Sequence, residues 1–341
     1  MMEAGKGCGQ AVKRAMKLTA GALAVGFGLP LLTVCLRPER EPAEREPEAQ
    51  TVEVTQAPSG DKLCTLQVLM EDGSVSDMAL DEYLAGVLLA EIPASFAPEA
   101  IKAQAVVSRT YTLRRTEHSK HQEADICTNP GCCQGWRDPA DYAAREGQTG
   151  LETMNRAIGD TDGQVLTYEG ELIDATFFSC SGGRTEAAVE VWGSDVPYLQ
   201  SVDSPGEEAP YNEDLEVFTP EAFAAAILEV APEADLSGAP ETWFGALRET
   251  EGGGVASLEI GGVSFTGTEL RSILGLRSTV FQISVTEEGI RLDTRGYGHR
   301  VGMSQYGAQA MAEGGSTYRE ILSHYYTGVN LENYFAHGSN Q

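Results

Sequence analysis

Basic residues are scarce in this chain. Lys and Arg together number 24 against 51 Asp and Glu, which leaves a formal net charge of −27 over 341 residues. Phosphate binding needs clustered cations, so nucleic acid is excluded as a partner. Cysteine is also sparse: Cys8, Cys35, Cys64, Cys127, Cys132, Cys133 and Cys180. Seven cannot all pair within one chain, and only the middle three cluster, which excludes a dense disulfide scaffold. Internal repeats are lacking, and so is the Gly-x-Ser-x-Gly pattern of a nucleophile elbow. Long charge-free runs are lacking as well, with one exception near the N-terminus.

That exception is Leu18–Leu36, preceded by Lys6, Lys13, Arg14 and Lys17. At about 1.5 Å per helical residue the run is just long enough for a hydrocarbon core of roughly 30 Å. The spacing predicts a basic cytoplasmic tail over 1–17 and a transmembrane anchor over 18–36, with the remainder exported. A cleaved signal peptide and a lipoprotein signal at Cys35 are the alternatives, and neither has the small residues its cleavage site needs. Residues 37–60, rich in Pro, Glu and Ala, read as a disordered tether.

From residue 61 to 341 the pattern is mixed α+β, expected as helices and antiparallel-rich sheets in a bilobal exported region. Leu66, Val68 and Met70 alternate with polar residues before the turn Asp72-Gly73, which predicts a hairpin. Asp81 is expected to cap a helix running to Pro93, and Pro98 to open a second one continuing to about Arg115. Strands are predicted at Val165–Tyr168, Ile173–Phe178, Val255–Ile260, Phe281–Val285 and Ile290–Asp293. Residues 205–255 read as a variable acidic insertion, helical with loops. Gly296–Gly307 reads as a glycine-rich turn, and Thr317 with Glu320 as a capping box.

Four stretches can carry chemistry. Glu91 ends the first helix among Leu88, Leu89, Ile92 and Phe96; a carboxyl in such surroundings keeps its proton and can deliver it. A solvated glutamate at a helix end is the plainer alternative. Arg295–Gly307 crowds His299, Ser304, Gln305 and Tyr306 beside four glycines, offering hydroxyl partners and flat faces of the kind sugars need; a structural turn with a satisfied histidine stands beside it. His121, Cys127 and Cys133, each six positions apart, form a triplet of zinc-ligand types, with His118 or Cys132 as substitutes and a disulfide from Cys127 as the competing reading. Ser179–Thr185 follows an apolar strand and reads as a substrate-contacting loop.

Taken together, these stretches resemble the SpoIID family, the stage II sporulation protein D group with its amidase-enhancer relatives. The resemblance is carried, in the family's order, by Asp81-Glu-Tyr-Leu-Ala-Gly-Val87, Glu91-Ile-Pro93, Ala100-Ile-Lys-Ala-Gln-Ala-Val106 through Arg109-Thr-Tyr111, Cys133-Gln134, Gly182-Gly-Arg-Thr185 with Trp192, Glu269-Leu-Arg271 through Gly275-Leu-Arg-Ser-Thr279, and Gly296-Tyr-Gly-His299 with Val301-Gly-Met-Ser-Gln-Tyr-Gly-Ala308.

The resemblance implies a lytic transglycosylase of peptidoglycan, acting at the engulfing septal membrane. It also implies a membrane partner and a SpoIIP-like cell-wall amidase that first strips the stem peptides. The family's catalytic glutamate falls on Glu91. Sugar contacts are expected from Thr185, His299, Ser304, Gln305 and Tyr306. No cofactor is needed for the chemistry, and zinc at His121, Cys127 and Cys133 would be structural. A non-catalytic glycan-binding enhancer of an amidase is the runner-up, and a zinc hydrolase the third reading. One departure stands out: where the family usually has a second glycine after the histidine, this chain has Arg300. Arginine is strained there if the position needs a positive φ; alternatively, it meets the lactyl carboxylate of muramic acid.

Overall fold

The computed structural model describes residues 60–336. The tail, anchor and tether expected over 1–59 lie outside the described residues. Among those described, no helix is long and apolar enough to cross a membrane.

The mixed α+β class holds, with helices interleaved among antiparallel sheets. The expected hairpin pairs Thr65–Leu69 with Val75–Ala79, placing Leu66 opposite Met78. Gly73 supplies the turn at φ +84°. Helix Leu80–Glu91 follows directly and is buried on nearly every side, from Leu80 and Tyr83 through Leu89. Truncating a side chain such as Leu84 there would cost about 2–5 kcal/mol.

Asp81 is not the cap. Ala79 occupies that position without a side-chain bond, and Asp81 sits inside the first turn, where its charge complements the helix dipole. The helix stops because Ile92 precedes Pro93 and turns extended. Gly86 is required within it: a Cβ there would lie 2.0 Å from the Trp136 indole nitrogen.

Helix Pro98–Glu117 forms the wall between two cores. Ile101, Ala105 and Leu113 pack with the first helix and the hairpin. Ala100, Ala103, Val106 and Val107 pack against Val301, Met303 and the helices Gln305–Glu313 and Tyr318–Tyr325. The Thr317–Glu320 capping box is formed as expected.

A third core joins Phe223, Ile227 and Trp243 to Leu258, Leu270 and Leu292. Residues 205–255 are therefore not only helix and loop. Besides helix Pro220–Val230 they contain strands Glu213–Phe218 and Phe244–Glu249, each paired within a three-stranded sheet. The acidic, Gly- and Ala-rich composition of the surrounding stretch hides these strands, which are themselves largely exposed and lack a regular buried alternation.

Two further expectations change. Of the strand predicted over 173–178 only Phe177–Phe178 forms, and a separate two-residue strand, Glu171–Leu172, precedes it. The glycine-rich turn ends early: Met303–Ser304 is a short strand parallel to Phe177–Phe178, and helix Gln305–Glu313 begins at once. This pairing, with bridges Cys180↔Tyr297 and Glu186↔Val301, lays the 177–186 and 296–304 segments side by side.

Candidate active site

A cleft with a volume near 520 Å³ opens where those two segments meet the ends of the first two helices. Glu91 lines it with Tyr111, Arg115, Cys133, Phe178, His299 and Gln305. Among the described residues Glu91 is the only carboxylate in that lining. Its surroundings differ from those expected, because Leu88, Leu89 and Ile92 turn into the core. The shelter comes from distant parts of the chain.

Burial raises the Glu91 carboxyl above the ordinary carboxylate range, against the opposing pull of a hydrogen bond from the Gly135 amide. That amide donates to Oε1 at 2.8 Å. A Cβ on residue 135 would stand 2.9 Å from the same oxygen, so only glycine allows this approach. The Gln305 amide donates to the Glu91 carbonyl at 3.0 Å and fixes the end of the helix. Glu91 is thus a positioned acid that holds its proton better than a free carboxyl does.

His299 sits between two aromatic rings, Phe178 at 5.7 Å and Trp192 at 5.5 Å between centroids. Burial, aided by the positive charge of Arg271, lowers its pKa to about 4. It is neutral at physiological pH, and its Nδ1 accepts from the Val301 amide at 3.2 Å. Trp192 (46 % exposed), tilted against His299, and Tyr297 (44 % exposed), with Arg277 5.8 Å from its ring centre, leave aromatic surface open near the cleft of the kind that suits the apolar faces of sugar rings.

Three other expected sugar contacts are placed differently. Thr185 is fully buried, and its hydroxyl accepts from the Val202 amide at 2.9 Å. Ser304 is buried as the N-cap of its helix, its Oγ accepting from the Gly307 amide. Tyr306 packs edge-on to Phe96 and Tyr211 and lies outside the cleft lining. Of the five, His299 and Gln305 line the cleft.

Arg300 has the positive φ that its position demands, +67°. Its side chain is 1 % exposed and points away from the cleft lining, so it does not meet a substrate carboxylate. Nη1 donates to Glu186 Oε1 at 2.9 Å, Nε to the Ser181 carbonyl at 2.7 Å, and Nη2 to the Arg184 and Gly252 carbonyls, both at 2.6 Å. Glu186 also accepts from the Thr250 hydroxyl and the Gly254 amide. One buried ion pair thereby ties three loops behind the cleft.

Glu207 was not foreseen. Its carboxylate accepts from the Ser181 and Gly182 amides and from the hydroxyls of Ser181, Ser204 and Ser304, at 2.5–2.9 Å. With both oxygens engaged it braces the cleft wall and leaves no free lone pair for a reacting group. No local pattern marks it, since it lies in an exposed-looking Pro-Gly-Glu-Glu stretch.

Beside the cleft, His121, Cys127, Cys132 and Cys133 bring their ligand atoms within 4.8 Å of one another. The triplet read from spacing is present, and Cys132 joins it as a fourth member. Tetrahedral zinc, with Zn–S near 2.3 Å, requires ligand atoms ~3.8 Å apart. His121 Nε2 is 3.8 Å from Cys132 Sγ and 3.6 Å from Cys133 Sγ, and the two sulfurs are 3.9 Å apart. The donors fit the ion, and a complete protein set leaves no open coordination position. All five described cysteines are free, so the alternative Cys127 disulfide is not formed. Without a metal, burial pushes the Cys133 thiol up to about 12, so binding an ion there must release protons.

A mixed α+β chain with this cleft and these motifs falls in a defined class: the SpoIID family profile, described as stage II sporulation protein, matches residues 71–168. Stage II sporulation protein D of Bacillus subtilis (strain 168) is 37 % identical over 265 residues, covering 76 % of each chain. The protein of the same name from Bacillus amyloliquefaciens is 34 % identical over 76 % of this chain and 75 % of its own length. A Bacillus subtilis protein named amidase enhancer is 30 % identical over 74 % of this chain and 40 % of its own. The chain belongs to the stage II sporulation protein D family.

Proposed function

We propose that this protein is a peptidoglycan lytic transglycosylase acting in sporulation. The observation that carries the reading is a lone, partly desolvated carboxyl in a cleft with aromatic faces and no second carboxylate among the described lining residues. Hydrolysing glycosidases usually need two. A transglycosylase needs one.

In the proposed reaction, neutral Glu91 protonates the glycosidic oxygen between N-acetylmuramic acid and N-acetylglucosamine, and the C1–O bond breaks. The resulting carboxylate takes the proton of the muramyl C6 hydroxyl, whose oxygen bonds to C1 and closes a 1,6-anhydro ring. The proton count on Glu91 is restored and no water is consumed. His299, neutral and held by Val301, acts as part of the wall, while Trp192 and Tyr297 stack on sugar rings.

Zinc at His121, Cys127, Cys132 and Cys133 would be structural, clamping the loop after the second helix to the cleft. With four protein donors it offers a substrate no coordination site, which disfavours a zinc hydrolase. The partners proposed are peptide-stripped glycan strands, the amidase that strips them and a membrane protein; the place is the outer face of the membrane, with residues 18–36 as anchor.

The relative named amidase enhancer supports a second reading, in which the cleft binds glycan and recruits an amidase without cutting. Mass spectrometry of digested peptide-free strands separates the two. Anhydro ends are expected; intact strands would favour the binding module, and hydrated reducing ends would reject the transglycosylase.

A further inference from the structure

Arg115 is the only lysine or arginine among the described residues lining the cleft. Acids outnumber bases here by 51 to 24, and most arginines are neutralised: Arg109 by Asp61, Arg114 by Glu117, Arg300 by Glu186. Arg115 has no carboxylate partner among the described residues. Its Nε is buried without an acceptor, and its guanidinium lies 4.9 Å from the centre of the Tyr111 ring. The helix dipole favours a cation in this last turn. Arg114, in the same turn, is paired with Glu117, and the dipole alone does not place a guanidinium in the cleft lining.

We propose that Arg115 reads the free lactyl carboxylate of a peptide-stripped muramic acid; this rests on the transglycosylase reading of Glu91. The lactyl group ends in a carboxylate only after an amidase has removed the stem peptide. Before that it is a neutral amide followed by bulky chain. A guanidinium held beside the Tyr111 ring offers parallel N–H donors to a carboxylate and nothing comparable to an amide. N-acetylglucosamine carries no such group, so the same contact sets register, placing muramic acid, with its C6 hydroxyl, at the reacting position. Stripping thereby becomes a condition for fast cleavage, built into the cleft.

The test uses the full-length protein and three substrates: peptide-free strands, the same strands with lactyl carboxylates converted to methylamides, and strands bearing stem peptides. Wild type is expected to cleave the free acid with kcat/KM about tenfold or more above the methylamide, chiefly through KM. Arg115→Gln should bring the free-acid and methylamide values together, abolishing the preference, with Arg115→Lys in between. Equal cleavage of acid and methylamide by wild type overturns the proposal, while anhydro ends on both would leave the Glu91 reading standing. A preference for peptide-bearing strands that Arg115→Gln abolishes would assign the contact to a stem-peptide carboxylate and overturn the lactyl assignment. Lost zinc or a lower Tm in Arg115→Gln, with its substrate ratio unchanged, would make Arg115 a support of the metal cluster and overturn it too. Should nothing be cut, binding of acid and methylamide strands to Glu91→Gln reads the same preference, so the two failures are told apart.

Discussion

Arg300→Gly restores the residue usual in the family, yet the structure predicts that it destabilises this chain. Glycine relieves the left-handed backbone at φ +67°, which returns about 1 kcal/mol. It also strips Glu186 of its counter-charge and leaves the Ser181, Arg184 and Gly252 carbonyls without their donor. Breaking a buried pair by removing one member costs about 3–5 kcal/mol. The net loss should be roughly 2–4 kcal/mol. Urea unfolding measures it as a lower midpoint at unchanged slope. Arg300→Gly with Glu186→Gln removes the stranded charge, while the amide oxygen still accepts from Thr250 and Gly254. The double variant should regain about 2 kcal/mol over the single one. A single variant as stable as wild type, or a double variant no better than the single, would refute the claim that this pair ties the loops.

Three more outcomes are expected. Because the Glu91 pKa is raised from 4.5, any stability tied to its neutral form is present below that value and lost as pH rises through the folded value; the advantage of Glu91→Gln over wild type in urea should therefore widen with pH. Turnover should fall on the same alkaline limb, and His299, lowered to about 4, should add no step between pH 5 and 8 in a pH–rate profile. Chelation should release zinc at one per chain by elemental analysis and lower Tm, with Cys132→Ser weakening retention as Cys127→Ser does; a chain that binds no zinc would contradict the cluster's assignment. Trp192→Ala should raise KM about tenfold at near-constant kcat if its exposed face stacks on sugar, and an unchanged KM would reject that contact.

Local signals carried much of this. The hairpin, the first two helices and the Thr317 capping box follow from alternation, proline placement and side-chain capping, which act within a few residues. Glu91 was legible because its helix ends at Ile92-Pro93, although the cleft that buries it is walled by Tyr111 and Phe178 and its hydrogen-bond partner is Gly135, all far along the chain. Spacing found three members of the metal cluster and treated Cys132 as a spare, since adjacent cysteines do not look like joint ligands until a loop folds both inward. Ser304 and Thr185 carry the hydroxyls that sugar binding wants, yet backbone amides claim them first. Glu186 and Glu207 stayed invisible for a related reason. A hydrogen-bonded carboxylate is defined by its donors, and those of buried Glu186 and half-buried Glu207 come from segments up to about a hundred residues away.

The central claim is that one carboxylic acid, Glu91, both opens the glycosidic bond and closes the anhydro ring. The decisive measurement is the rate of 1,6-anhydro end formation on peptide-free strands by wild type and by Glu91→Gln, an isosteric change that keeps an acceptor for Gly135 but has no proton to give. The account predicts a fall of about 10²-fold or more with folding and strand binding intact. Anhydro ends forming at the wild-type rate in that variant would contradict it.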